Sequence, residues 1–375
     1  MNTLTEKVNQ LLNKQLLEKQ HIGAQVSAYK NGEKILDTCA GTMEKHDYRP
    51  VTPDTLFLSF STTKGVAATT IHMLADQGKL NYTDRISKLW PAFGQNGKER
   101  ITVEQALSHQ SGLHIWPENN AFDEPEDWEG ILHYIEEAKP AYSPGTSTGY
   151  HALTFGYIAA GIIQSIDGRH IKDFVKEEIA KPLGVEGELM LGLPRRYWAK
   201  AATIEYEEYA EACKAIPSDS EMGKALPLRL WMFVNSPTYT GGYNPSTHGF
   251  FSARALARMY GALANGGEID GVRLVSPERV GEMGRLVTDQ FDIVMGMPRA
   301  KGRGFLLSGV GADPAYGSRL TCFGHSGAGG SFAYADPEVG LSIAVTLNKM
   351  VFMNVGELSR ADVISGLIRR ELGVD

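Results

Sequence analysis

Alternating apolar and polar residues mark two strands near the start of the chain. The segment GAQVSAYKNGEKILDTCAG alternates on both sides of Asn31-Gly32, a dipeptide that favours the tight turn of a two-residue hairpin. In residues 1–20, leucines are interleaved with Lys, Gln and Glu, a pattern typical of an amphipathic surface helix. The chain is therefore expected to begin with a helix and an antiparallel pair of strands.

The C-terminal end carries the same kinds of element. GSFAYADPEVGLSIAVTLN has two β-rich runs around residues 336–338, and apolar residues within 357–372 fall at helical spacing. The middle of the chain is mainly helical: Thr102 and Gln105 form a capping-box pattern, and TFGYIAAGIIQSIDG is typical of an apolar helix that ends at Gly168.

Strands at both termini with helices between them predict an α/β (α+β) fold. In this interpretation, residues 1–76 and 285–375 form one domain, an antiparallel sheet flanked by the terminal helices. Residues 77–284 form a mainly helical domain inserted into it.

Composition narrows the classes of partner. The 375 residues are 42% hydrophobic and 22% charged, which suits a soluble globule with a sizeable core. The formal net charge of -7 provides no global positive field, so neither nucleic acid nor a membrane is expected as a partner. No stretch approaches the length of apolar sequence needed to span a bilayer.

The cysteines and the N-terminal residues indicate the cellular compartment of the protein. Cys39, Cys213 and Cys322 are odd in number and far apart, which indicates a reducing compartment without a disulfide framework. The first twenty residues lack the unbroken apolar run of an export signal. We therefore expect a cytoplasmic protein.

The stretch PGTSTGYHA contains Ser147 in a G-x-S-x-G pattern, which is typical of the nucleophile turn of α/β-hydrolases. That turn needs an apolar strand leading directly into it. The preceding EEAKPAYSPG contains Pro140 and Pro144 and is unsuited to a central strand. A turn before the next helix is the better interpretation of this stretch.

A stronger candidate lies in TLFLSFSTTKGVAATTIHMLADQG. A β-rich run leads into Ser61, and a helix then extends towards Gly78. Ser61 would lie at the helix N-terminus with Lys64 one turn away on the same face, an arrangement that can activate a serine once the amine is buried. A second S-x-x-K copy, Ser27 to Lys30, falls in a predicted strand, where the two side chains point to opposite faces.

Near the C-terminus, CFGHSGAGGSFAYAD places His325-Ser326-Gly327 before a predicted strand. Glycines let a substrate approach the backbone, and a strand edge can donate an N–H to an oxyanion. A glycine-rich turn between strands is an equally good interpretation of this segment alone.

Three motifs together resemble the serine β-lactamase and penicillin-binding protein superfamily: S-x-x-K at a strand-to-helix junction, Tyr150 in an S-P-G-T-x-x-x-Y context, and the late H-S-G. The resemblance is greatest to class C β-lactamases and family VIII carboxylesterases. Further similar stretches, such as ITVEQALSHQSGLH, are spread over most of the chain. The resemblance implies a β-lactamase/transpeptidase-like fold with the active site between the two domains. It also implies Ser61 as nucleophile, with Lys64 and Tyr150 as acid and base.

By the same resemblance, His325, Ser326 and Gly327 take the place of the K-T-G substrate-binding triad. The oxyanion hole would be formed by the backbone N–H groups of Ser61 and Ala328. The implied mechanism requires no metal or cofactor.

Two departures from the family pattern affect the substrate. Ala152 stands where the lactamases carry the Asn of Y-x-N, so an amide that would bind the acyl-amide group of a β-lactam is lost. His325 stands where they carry Lys, which weakens the attraction for a substrate carboxylate. Both changes favour a small neutral ester, and we predict a carboxylesterase.

Other functions remain open at this point. Within the superfamily they are a β-lactamase or D-amino-acid peptidase acting on amides, and an acyltransferase in which an alcohol replaces water. A penicillin-binding or ligand-sensing pseudoenzyme is the non-catalytic alternative. A metal hydrolase is disfavoured, because the histidines show no H-E-x-x-H or H-x-x-E-H pattern. The oligomeric state is not predicted.

Three further features have open interpretations. His151 either faces the pocket beside Tyr150 or points away from it. The acidic stretch 116–130 is expected to be a solvated loop. The aromatic-rich segment 192–242 is expected either to wall the pocket and set specificity or to form the core of the helical domain.

Overall fold

A computed structural model of the chain describes residues 3–117, 127–227, 231, 234–312, 314–351 and 357–374. The α-helices are Leu4–Leu17 (α1), Thr63–Asp76 (α2), Ile86–Leu89 (α3), Val103–Leu107 (α4), Trp128–Glu137 (α5), Phe155–Asp167 (α6), Ile171–Val175 (α7), Glu207–Cys213 (α8), Glu221–Ala225 (α9), Pro237–Gly241 (α10), Ala253–Ala264 (α11), Pro277–Met283 (α12) and Arg360–Leu372 (α13).

The strands are Gly23–Lys30 (β1), Glu33–Gly41 (β2), Phe57–Leu58 (β3), Leu189–Leu191 (β4), Gly249–Phe251 (β5), Glu268–Ile269 (β6), Val272–Arg273 (β7), Phe291–Asp292 (β8), Met297–Pro298 (β9), Leu306–Leu307 (β10), Phe323–Ser326 (β11), Phe332–Asp336 (β12) and Leu341–Leu347 (β13).

Among the described residues, six strands form the main sheet in the order β10-β11-β12-β13-β1-β2, and all neighbours are antiparallel. The two chain ends meet at its centre, where Val26 of β1 lies opposite Val345 of β13. Asn31 and Gly32, with φ of 52° and 80°, form the predicted hairpin turn between β1 and β2.

Alternate residues of these strands point to two separate apolar layers. On one face, Val8 and Leu12 of α1 and Ile364 and Ile368 of α13 pack with the sheet. On the other face, α11 packs on the sheet, and Ser342 Oγ donates to the Ala257 carbonyl at 2.8 Å. The terminal helices therefore cover one face, as the sequence pattern predicts.

The helical side of the molecule surrounds α2 and α6, whose residues are mostly buried. The capping box of Thr102 and Gln105 is present at the start of α4, and Gly168 ends α6 with φ of 84°. The α/β fold with an antiparallel sheet and a helical region is confirmed, and it belongs to the β-lactamase/transpeptidase-like class.

The proposed domain boundaries stay a prediction. Helix α11, within the range assigned to the helical domain, packs on β1 and β13 of the sheet. The loop interpretation of 116–130 needs correction at its end, because Asp127 caps α5 by accepting the Gly130 N–H at 2.9 Å. Residues 118–126 of that stretch lie outside the described residues. No helix among the described residues is long and apolar enough to cross a membrane.

Candidate active site

Ser61 lies on a short turn between β3 and α2. Residues Phe60–Thr62 form a 3₁₀ turn that leads directly into the helix. Phe60 is buried and has φ of 45°, the left-handed region that a bulky residue rarely adopts. Such strain is typical of functional sites and persists only where the surroundings enforce it. Here it presents the half-buried Ser61 side chain at the wall of a cavity.

Lys64 is fully buried one helical turn after Ser61. Its Nζ lies 3.1 Å from Ser61 Oγ, 2.7 Å from the Ala152 carbonyl and 3.1 Å from the Ser246 carbonyl. Burial lowers the pKa of Lys64 well below its ordinary value. In its neutral form the amine would donate its two N–H groups to the two carbonyls and turn its lone pair towards Ser61.

Tyr150 also lies close to Lys64. The Lys64 Nζ lies 5.0 Å from the Tyr150 ring centroid. The Tyr150 ring is half-buried between two histidines, with centroid distances of 4.9 Å to His109 and 6.1 Å to His325. The structure therefore brings Tyr150 close to Lys64, although the S-x-x-K motif and Tyr150 lie in two distant parts of the sequence.

His151 points away from the cavity into the helical core. Its Nδ1–H donates to the Gly149 carbonyl at 2.6 Å, so Nε2 accepts from the Leu113 N–H at 3.2 Å and from the Ser111 hydroxyl at 2.6 Å. Burial lowers the pKa of His151 well below its ordinary value, consistent with a neutral ring. Of the two orientations left open by the sequence, the structure has the buried one.

The loop after β11 closes the site opposite Ser61. His325 is buried in β11, and its Nδ1–H donates to the Ser326 carbonyl at 2.8 Å. At Gly327 the backbone passes so close to Ser59 that an added Cβ would lie 2.3 Å from the Ser59 carbonyl oxygen. Only glycine allows this approach, which places Ala328 at the cavity wall beside Ser61.

Arg360 supports this loop from behind. Its guanidinium is almost fully buried and donates to the carbonyl of Gly329 at 3.2 Å and to that of Lys349 at 2.9 Å. Burial lowers the pKa of Arg360 to about 10. A buried cation thus fixes the residue that follows Ala328.

The cavity at Ser61 has a volume of about 340 Å³. The predicted site residues Ser61, Tyr150, His325, Ser326, Gly327 and Ala328 all line it, together with Ala152. One wall is formed by apolar and weakly polar side chains: Tyr209, Cys213, Ile216, Met222, Leu226 and Trp231.

The aromatic-rich segment divides between the two expected roles. Tyr209 and Trp231 line the cavity and contact each other edge to face at 5.0 Å, whereas Tyr239 is buried in the core. Trp198 lies at a separate, smaller cavity of about 170 Å³. Phe233 lies outside the described residues.

Ser147 is half-buried on the turn before Tyr150 and is not among the residues that line the cavity. The described part of the chain contains no cluster of His, Cys, Asp and Glu suited to a metal ion.

The comparison with protein families decides where this chain belongs. The sequence profile described as Beta-lactamase matches residues 7–364, nearly the whole chain. The chain belongs to the Beta-lactamase family. This confirms the resemblance to the serine β-lactamase and penicillin-binding protein superfamily.

Members of the family with known names or structures include esterases. Esterase/beta-lactamase LipL of Mycobacterium tuberculosis is 32% identical over 355 residues, which cover 88% of this chain and 77% of LipL. The crystal structure of a family VIII carboxylesterase is 30% identical with a TM-score of 0.89 and 98% of each chain covered. A penicillin-binding protein homologue from Caulobacter crescentus is 32% identical with a TM-score of 0.83 and 95% of each chain covered.

Sequence reasoning missed several groups at the site. Ser246 supplies a carbonyl to Lys64, and Arg299, Lys301 and Met295 line the cavity. Asp292 accepts the Tyr150 N–H at 3.1 Å. None of them carries a local motif, and their roles depend on contacts between segments far apart in the chain.

Proposed function

We propose that this protein is a serine carboxylesterase that cleaves small ester substrates through an acyl-enzyme on Ser61. The observation that carries the proposal is the environment of Lys64, whose amine lies 3.1 Å from Ser61 Oγ while two carbonyls accept its N–H groups. A buried neutral amine in this position is a general base for the serine. The named esterases among its relatives support the same reaction.

In the proposed acylation step, Lys64 takes the Ser61 proton as Oγ attacks the ester carbonyl. The resulting oxyanion accepts hydrogen bonds from the N–H groups of Ser61 and Ala328. The C–O bond to the alcohol then breaks, and the alcohol leaves with a proton delivered by Tyr150 or Lys64. Water hydrolyses the acyl-enzyme by the reverse proton path, which releases the acid and restores Ser61.

We propose neutral esters with an apolar group as substrates. Ala152 presents only a methyl group to the cavity, so a substrate amide would lose its hydrogen-bond partner there. The wall from Tyr209 to Trp231 is suited to an apolar chain or ring. His325, Ser326 and Gly327 line the opposite side and are proposed to bind the carbonyl end of the substrate.

β-Lactam hydrolysis is the second candidate, because LipL is named both esterase and β-lactamase. The missing amide at Ala152 predicts that it is the weaker activity. A D-amino-acid peptidase would face the same loss, and an acyltransferase would share the acyl-enzyme. A pseudoenzyme is disfavoured by the close approach of Ser61, Lys64 and Tyr150.

The cytoplasmic location predicted from sequence stays a prediction. Cys39, Cys213 and Cys322 form no disulfide bonds.

The test compares wild type with Ser61→Ala on nitrophenyl esters of increasing acyl length and on a chromogenic cephalosporin. Turnover of esters by wild type, loss of that turnover in Ser61→Ala, and acyl mass on the peptide containing Ser61 are expected. Acyl mass on Ser147 instead, or undiminished ester turnover by Ser61→Ala, would refute the mechanism. A cephalosporin turned over faster than every ester would refute the substrate preference alone.

A further inference from the structure

A buried ion pair lies directly behind the segment that carries Tyr150. The carboxylate of Asp292 contacts Nζ of Lys301, and the two side chains are 0% and 1% exposed. Lys301 also lines the active-site cavity. Burial of two charges is costly, and an ion pair of this kind generally adds little net stability compared with apolar residues. Its contacts therefore call for a different explanation.

The carboxylate holds the Tyr150 backbone through hydrogen bonds. Asp292 Oδ1 accepts the N–H of Tyr150 at 3.1 Å, of Val294 at 2.9 Å and of Met295 at 2.8 Å. The same oxygen therefore stabilises the turn between β8 and β9 and links that turn to the Tyr150 backbone.

Lys301 holds the residue two positions before Tyr150. Its Nζ donates to Thr148 Oγ1 at 2.7 Å, and the Thr148 carbonyl accepts the Ile293 N–H at 3.0 Å. Thr148 and Tyr150 belong to no helix or strand of their own, and α6 starts only at Phe155. The Gly149 N–H also donates to the His109 carbonyl at 3.0 Å, so contacts made by residues 292–301 and by His109 together position this segment.

We propose that Asp292 and Lys301 are positioning residues that hold the Tyr150 phenol at the distance from Lys64 and Ser61 that proton transfer requires. This inference rests on the proposed function, in which Tyr150 delivers or receives a proton. Neither residue touches the reacting atoms in this proposal. They act through the backbone of residues 148–150.

Two single variants remove the two halves of the pair. Lys301→Met removes the donor to Thr148 and leaves Asp292 unpaired, and Asp292→Ala removes the acceptor for the Tyr150 N–H. Because small misplacement of a catalytic group is costly, we expect kcat for a nitrophenyl ester to fall about 10- to 100-fold. KM should change less than about threefold, because the proposed substrate contacts, the wall from Tyr209 to Trp231 and the residues 325–327, are not substituted in either variant.

The double variant Asp292→Asn/Lys301→Met tests whether kcat depends on the oxygen of residue 292 that accepts the Tyr150 N–H or on the charges of the pair. It keeps an oxygen that can accept the Tyr150 N–H and leaves no lone buried charge. We expect it to recover part of the kcat lost in Lys301→Met. A double variant with no recovery would contradict positioning through this oxygen.

The chain offers a matched control in a second buried ion pair. Arg369 and Asp336 lie 3.1 Å apart with side chains 1% and 0% exposed, between the sheet and α13, in the apolar layer away from the cavity. Asp336→Asn should lower thermal stability without lowering kcat at temperatures where the protein is folded. If Asp336→Asn lowers kcat as much as Lys301→Met, the loss is a general effect of destabilisation and the proposal fails.

Thr148→Val supplies a milder variant should the single variants fail to fold. It is isosteric, leaves the ion pair intact and removes the hydroxyl, which accepts from Lys301 at 2.7 Å and makes longer contacts of 3.5 and 3.4 Å to the carbonyls of Ser108 and His109. Folded Lys301→Met and Thr148→Val with wild-type kcat would overturn the proposal.

Hydrogen exchange of the peptide spanning residues 143–153 gives a readout that needs no substrate. Faster exchange there in Lys301→Met, but not in Asp336→Asn, is expected, and unchanged exchange would overturn the proposal. If wild type turns over no ester, the proposed function is refuted. Hydrogen exchange still tests whether Asp292 and Lys301 position residues 148–150.

Discussion

The carbonyl of Ala152 accepts a 2.7 Å hydrogen bond from Nζ of Lys64, so the residue that departs from the lactamase pattern also holds the proposed base. Its backbone carbonyl helps to hold the Lys64 amine beside Ser61. In the side chain, it offers only a methyl group to the cavity. The departure from the lactamase pattern therefore leaves the surroundings of the proposed base Lys64 intact, and we expect it to alter what the site binds.

The activity should depend on pH through Lys64. Burial lowers the pKa of Lys64, and only the neutral amine can accept the Ser61 proton. We expect kcat/KM for a neutral ester to rise with pH and reach its plateau well below about pH 10.4, the pKa of an unperturbed lysine. A rate profile from about pH 5 to about pH 10, corrected for the Ser61→Ala background, measures this. If kcat/KM instead rises around the ordinary lysine pKa of about 10.4, Lys64 is not neutral below that pH and the prediction is wrong.

The same shift predicts how stability depends on pH. Between the lowered pKa of Lys64 in the folded protein and its ordinary value in the unfolded chain, only the unfolded chain binds this proton. The contribution of Lys64 to the free energy of unfolding therefore rises with pH in that window, by at most about 1.4 kcal/mol per pH unit.

Urea unfolding of wild type and Lys64→Met at several pH values between about 7 and about 10 isolates this contribution, because the other groups titrate in both proteins. The difference in free energy of unfolding, wild type minus variant, should increase with pH. A difference that stays constant would show that Lys64 is protonated in the folded protein.

Sequence patterns predicted the parts of this structure that depend on local chemistry. The turn at Asn31-Gly32, the capping box at Thr102 and the end of α6 at Gly168 each follow from one or two residues and their neighbours. Ser61 and Lys64 are three residues apart at the start of a helix, so their approach also follows from local geometry.

The remaining parts of the site depend on contacts between distant segments. Nothing near Asp292 or Lys301 in the sequence indicates that they meet Thr148 and Tyr150. The left-handed conformation of Phe60 is likewise enforced by tertiary packing and runs against the preference of the residue itself. Such features are visible only once the chain is folded.

Restoring an amide at position 152 should shift the balance between substrates. Ala152→Asn places a donor and an acceptor where the cavity has a methyl group, so the amide of a cephalosporin side chain gains a partner. We expect the ratio of cephalosporin to ester kcat/KM to rise about tenfold or more. Ala152→Leu, which fills the same space without polar atoms, serves as the control and should not raise that ratio.

The apolar wall should set the longest group that the site accepts. Ile216→Phe adds bulk beside Tyr209 and Trp231 and fills part of the 340 Å³ cavity. The kcat/KM for a hexanoate ester should fall about tenfold or more relative to an acetate ester, because only the longer chain needs that space. Val363→Phe, on the exposed side of α13, is the control and should leave the ratio unchanged. An unchanged ratio in Ile216→Phe would place the substrate chain elsewhere.

The loop after β11, which carries Ala328, should not tolerate a side chain at Gly327. A Cβ there would lie 2.3 Å from the Ser59 carbonyl, so Gly327→Ala must shift the loop that carries Ala328 away from Ser61. We expect kcat to fall about 100-fold, the usual cost of losing one oxyanion donor, with a smaller change in KM.

Gly281→Ala is the matched control, since an added Cβ in α12 meets nothing within 4 Å. That variant should keep its kcat and gain up to about 1 kcal/mol of stability from the better helix former. Equal kcat in the two folded variants would exclude the Ala328 N–H from the reaction.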